Sequence, residues 1–197
     1  MPMFASSIAI RIPWMKLYRG VSVLDAPTKD GSFTAKPDSF GGYVFNFMPY
    51  QGVMLGSTGL DSEIDVERLG APKGADQCYG VRVFWVAYSA QLDDWSIIGW
   101  YLDARVYKYP QTADANSGRK LPDGSIAKFQ IKAEMSVCDL FKESMRFPYL
   151  NNERLAWEGN FLYPSSKSGP DDWEYNVSKL VQDRRLGRSS QYYETIR

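Results

Sequence analysis

Apolar positions in this chain recur mostly at every second residue, the period of a half-buried strand. The pattern is clearest at 97–108, "IIGWYLDARVYK". One parity carries Ile98, Trp100, Leu102, Ala104 and Val106, an ordinary core face, and the other carries Ile97, Tyr101, Asp103, Arg105 and Tyr107. Alternation sends these two sets to opposite sides of a sheet. Two tyrosines, an acid and a base on one side are either solvated decoration or the wall of a binding site. Residues 80–89, "GVRVFWVAYS", and 95–108 flank the polar "AQLDD", which predicts a hairpin. "IAKFQIKAEMSVC" (126–138) predicts another strand, with Lys128, Gln130 and Lys132 on one parity and Phe129, Ile131 and Ala133 on the other. Residues 8–24 read as a strand broken at Pro13, whose ring biases Ile12 away from helix. "YVFNFMPY" (43–50) is aromatic and predicts extended structure, and "GVMLG" predicts a short strand.

Between these runs, 25–42 and 110–125 are rich in Gly, Pro, Asp and Ser and read as loops. "DVERLGAP" (65–72) predicts a short helical turn stopped by Gly70 and Pro72, and "DLFKESM" (139–145) a short helix. The best helix is 171–187. There Trp173, Val177, Leu180 and Val181 share a face, acids open it, Arg184 and Arg185 close it, and Gly187 stops it. Irregularly spaced strands with one late helix predict an α+β, β-rich fold, a small mixed barrel or curved sheet with a C-terminal helix packed on it. The expected division is 1–165 for the β-rich part and 166–197 for the helix and tail, within the same domain.

Composition narrows the chemistry. The 197 residues suffice for one large domain with its own core. With 23 bases against 23 acids the chain carries no bulk charge, so affinity for DNA would have to come from a local patch. Cys78 and Cys138 form no CxxC and no zinc spacing, and a cytoplasmic location is expected. "MPMFASSIAIRI" lacks the basic and apolar regions of a signal peptide, and no run is long enough to span a bilayer, so no membrane partner is expected.

Histidine is absent, which removes Ser-His-Asp and Cys-His catalysis and His-ligated zinc. No glycine motif for phosphate cradling is present. Asp123, Gln130 and Lys132 have the residue types of a metal-dependent nuclease. The plainer reading of those three is a Pro-Asp-Gly turn followed by a half-exposed strand. No cofactor and no metal are expected.

Tryptophans 14, 85 and 100 are either core or a cage that stacks a planar ligand. Parity favours core for Trp100, and Trp14, following a proline, is the freer candidate. Arg11, Lys16, Arg19, Arg105 and Lys108 lie near aromatic segments, and Lys128 shares a strand face with Lys132. Bases beside aromatics are what a nucleic-acid surface requires, although an ordinary solvated face has the same composition.

In order, "PWMKLYRG", "YVFNFMPYQGVMLG", "DVERLGA", "GVRVFWVAYS" and "IIGWYLDARVYK" resemble the N-terminal domain of bacterial HNH-type endonucleases of restriction-like defence systems. The Gly-Trp-Tyr segment is the most specific part, and the resemblance covers roughly residues 8–135. It implies a DNA-reading module with a PUA-like barrel related to the EVE, YTH and SRA readers of modified bases. The chain departs from the pattern at Asp103, where the family has Asn, at Arg105, where it has Thr, and at Tyr43-Val44, where it often has His-Glu. No HNH motif is present.

Readers of modified bases flip the base and hold it between rings. On that resemblance Trp14, Asn46, Trp85 and Tyr101 are the expected base-binding residues, Asn46 because its amide both donates and accepts. Lys16, Arg19 and Arg105 are the expected phosphate contacts. The function expected is a non-catalytic DNA-binding module, with a modified base as its target and a separate nuclease subunit as a partner. Two alternatives stand beside it. One is an assembly subunit, which the tail "QYYETIR" favours. The other is the metal-dependent nuclease.

Overall fold

Two runs of β-branched and aromatic residues pair into the long hairpin that organises the fold. The computed structural model describes residues 6–28, 41–59, 61–146, 157–163, 177 and 181–183. In chain order its strands are β1 (Ser7–Arg11), β2 (Pro49–Tyr50), β3 (Val53–Gly56), β4 (Gln77–Ser89), β5 (Asp94–Thr112), β6 (Lys128–Glu134), β7 (Cys138–Leu140) and β8 (Phe161–Leu162). They form one mixed sheet in the order β2-β3-β6-β5-β4-β1-β8, with β7 also pairing β5. Among the described residues the β1–β4 pair is parallel and the other pairs are antiparallel. The β-rich class expected from the sequence is therefore present as a single mixed sheet. The chain divides into two units, Met1–Tyr163 and Pro164–Arg197. In the second unit Val177 and residues 181–183 are helical and Val177 is buried. The rest of the helix expected at 171–187 lies outside the described residues.

Strict alternation fails along the hairpin, and bulges are the reason. Val86 pairs Ile97 while Trp85 pairs Gly99, so Ile98 is an extra residue on β5. Val83 pairs Tyr101 while Val81 pairs Ala104, which inserts a second extra residue near Asp103. Asp103 takes φ 51, a left-handed conformation that short polar side chains tolerate. A third shift, between Cys78 and Val81, surrounds Gly80 at φ 71. Each extra residue reverses which parity faces inward. Ile98, Tyr101, Ala104 and Val106 consequently share one core.

Two expectations are corrected here. Residues 43–50 are not extended throughout, because Gly42–Phe45 forms a 3-10 turn whose residues are all buried. Residues 139–145 are not one helix, because β7 leads instead into a 3-10 turn at Glu143–Met145.

Candidate functional site

The inner side of the sheet holds a continuous chain of edge-to-face rings. Trp85 meets Tyr101 at 5.3 Å, Tyr101 meets Phe47 at 5.5 Å, and Phe47 meets Tyr18 at 6.0 Å. Such geometry adds ring electrostatics to apolar burial. Glycines allow the approach. A Cβ on Gly56 would lie 2.5 Å from Trp85 Cζ2, and one on Gly99 would lie 2.4 Å from the Asp139 carbonyl and 2.7 Å from Phe47 Cζ. The Tyr101 hydroxyl donates to the Asn46 carbonyl. Asn46 in turn accepts from the Ser57 N–H at 2.8 Å and donates to the Ser57 carbonyl at 3.1 Å, so its amide acts as a stand-in for a neighbouring strand.

The structure thus brings Trp85, Tyr101 and Asn46 together, but in the core. All three are 0% exposed. They are corrected from base-binding residues to core residues, because Asn46's amide already has partners and no ring face is open. Burial pushes the Tyr101 and Tyr18 hydroxyls above the usual range. Trp14 is half-buried, and its ring carries the Arg146 guanidinium 4.8 Å above it. That guanidinium is buried and donates to the carbonyls of Phe141, Met15 and Lys16. Arg119 is a second buried pin, donating to Leu55 and Met48 carbonyls, and burial pulls its pKa down to about 10.

The expected phosphate contacts separate. Lys16 is exposed and lies 3.7 Å from Glu143. Arg19 is exposed, with Nε donating to the Phe47 carbonyl at 3.3 Å. Both sit on the loop before Asp25, whose buried carboxylate accepts the backbone N–H groups of Lys16, Leu17 and Tyr18. Arg105 stands apart, on β5.

Around Arg105 the outer side of the sheet is open. Its guanidinium lies 5.0 Å from the Tyr79 ring centre and 4.8 Å from that of Tyr107. Its Nε donates to Gln77 Oε1 at 2.9 Å, which fixes the plane of the guanidinium. Pairing places Gln77 opposite Tyr107 and Lys132 opposite Arg105, and Phe129 meets Tyr107 edge-on at 5.9 Å. Tyr79 is 63% exposed, Lys132 is exposed, and Arg105, Tyr107 and Phe129 are half-buried. A flat cation between two ring faces, with an ammonium one strand away, can stack a base and hold a phosphate. Tyr79 and Gln77 escaped the sequence pattern, because Gly80 shifts the register of β4 and hides their alignment with Arg105.

Two residues of the metal-nuclease set, Asp123 and Gln130, have other partners. The Asp123 carboxylate accepts from the Ser125 N–H and hydroxyl, which lowers its pKa. The Gln130 side chain is buried and bonded to Thr58, Ser62 and Lys108. Elsewhere a groove of about 560 Å³ opens between Gly20, Phe45 and the turn 120–124. Beside it the loop before Asp25 exposes Leu17, Val21, Val23 and Leu24. Among the described residues no helix is long and apolar enough to cross a membrane.

No protein-family model, no curated protein and no solved structure matches this chain.

Proposed function

We propose that the chain is a non-catalytic DNA-binding module that works through the outer face of β4, β5 and β6. The observation that carries this reading is the Arg105 guanidinium lying between the Tyr79 and Tyr107 rings, opposite Lys132. Stacking on exposed rings is tolerant of sequence, and adjacent cations take the backbone. The setting in a bacterial or phage defence system, with a nuclease partner supplying cleavage, rests on the resemblance of residues 8–135. Selectivity for a modified base would then operate on open ring faces, since Trp85, Tyr101 and Asn46 are committed to the core.

Fluorescence anisotropy with labelled single-stranded and duplex oligonucleotides, unmodified, methylated and hydroxymethylated, tests the reading. Binding should fall steeply as salt rises, and Tyr107→Ala should weaken it while the circular dichroism spectrum stays unchanged. Absence of binding at low salt to every oligonucleotide ends the proposal.

One observation favours a second reading, an assembly subunit. Val23 is 101% exposed and Leu24 85% exposed on a loop held firm by the buried Asp25. Apolar side chains displayed on a fixed backbone suit a protein partner. Under that reading Val23→Ser with Leu24→Ser abolishes a concentration-dependent mass and leaves oligonucleotide binding intact.

A further inference from the structure

The far end of the same outer face holds a second cation among rings. Arg11 closes β1 opposite Val86, and its guanidinium lies 4.3 Å from the Trp95 ring centre and 3.9 Å from that of Trp157. The two indoles are 6.5 Å apart and tilted by 31°, and Tyr88 meets Trp95 edge-on. Among the described residues no carboxylate pairs with Arg11. Its Nε and the Trp157 Nε1 are both buried with no hydrogen-bond acceptor. Two orphan donors in one cluster are rare in folded proteins and call for an acceptor that no described residue supplies. Burial lowers the Arg11 pKa, as expected of a cation held partly out of water.

We propose that Arg11, Trp95 and Trp157 form a binding site for a phosphate oxyanion. The indole faces fix the guanidinium plane, so its fork is arranged before the ligand arrives. The ligand enters along the half-exposed edge of Arg11. The guanidinium lies within stacking distance of the Trp157 ring, so its donors and the indole N–H belong to two neighbouring groups. The oxygens of a tetrahedral oxyanion do not share one plane and can serve donors on both groups, whereas the two coplanar oxygens of a carboxylate fill the fork alone. The site is separate from the Arg105 cluster. From Tyr79 to Tyr88 the β4 strand spans roughly 30 Å at its usual rise.

Tryptophan fluorescence of the full chain reads the site directly. At constant ionic strength, inorganic phosphate should shift the emission saturably, while acetate and chloride should not. Arg11→Lys keeps the charge but loses the fork and the stack, and should weaken phosphate binding about tenfold or more, the cost of a charge-assisted hydrogen bond. Trp157→Phe keeps an aromatic face while removing the indole donor and part of the ring area, and should weaken binding by less. A 5′-phosphorylated dinucleotide that binds more tightly than phosphate assigns the source to nucleic acid, and equal binding assigns it to free phosphate. An equal response to acetate, no response to phosphate, or an unchanged affinity in a folded Arg11→Lys protein overturns the proposal. Tyr107→Ala should leave this response intact, so the result stands apart from the fate of the Arg105 face.

Discussion

Tyr101 and Tyr107 lie six residues apart on one strand, and each meets another ring edge-on, yet the first is sealed and the second half-open. Simple alternation assigns them to the same side. The extra residue at Asp103 sends them to opposite sides. Inward, Tyr101 meets Trp85, Phe47 and the Asn46 carbonyl, and its hydroxyl is satisfied by backbone. Outward, Tyr107 meets a guanidinium, an amide across the ladder and solvent. The same residue type thus serves packing in one place and offers a surface in the other, and a single bulge makes the difference.

The contrast is tested first where packing is densest. Trp85→Ala should destabilise the domain by about 3–5 kcal/mol, the usual cost of a large buried ring, measured by urea denaturation. Tyr79→Ala, at a mostly exposed position, should shift the same midpoint by no more than about 0.5 kcal/mol. Equal losses would erase the distinction between the two clusters. Gly99→Ala should cost about 1–3 kcal/mol by overpacking, because the new methyl meets the Asp139 carbonyl and Phe47.

Tyr107→Ala should lose about 1–3 kcal/mol of oligonucleotide affinity, the worth of one stacked base. Tyr101→Phe should leave that affinity unchanged, since its hydroxyl serves the Asn46 carbonyl inside the fold.

Protons give a further test. Burial raises the Tyr18 and Tyr101 hydroxyls from their ordinary value near 10, and pushes the Cys138 thiol from 9 up to about 12. A raised pKa means that the native state keeps its proton where the unfolded chain has released it. The stabilisation is complete below the ordinary value and is lost as pH climbs through the native one. Stability should therefore decline from about pH 9 upward, and absorbance near 295 nm should show a tyrosine fraction that ionises only on unfolding. The smallest effect expected is at the rim. Lys132→Ala should reduce the slope of log affinity against log salt by about one.

Much of this fold is legible along the chain. The hairpin of β4 and β5, the strand at β6 and the break after β1 follow from period-2 alternation and from turn residues, whereas the loop expected at 110–125 is shorter, because β5 runs on to Thr112 and Ala115–Ser117 forms a 3-10 turn. The turn at Gly42–Phe45 is not, because a buried aromatic run fits a strand and a tight turn equally well. The candidate site divides in the same way. Arg105 and Tyr107 are visible as polar positions on an otherwise apolar strand. Tyr79, Gln77 and the Arg11 cluster are not, because each depends on pairing across strands far apart in sequence. The buried Arg119 and Arg146 carry no local signal either. Each is defined by carbonyls it reaches from distant segments.

By itself the sequence determined that this chain builds β-structure rich in rings, with no histidine chemistry and no surplus of charge. Those properties are set by residue type and period, which survive any register. Tertiary structure decided which rings are walls and which are surface. That choice follows from where single extra residues enter the ladder, and an inserted residue reverses every side chain beyond it without changing the composition at all.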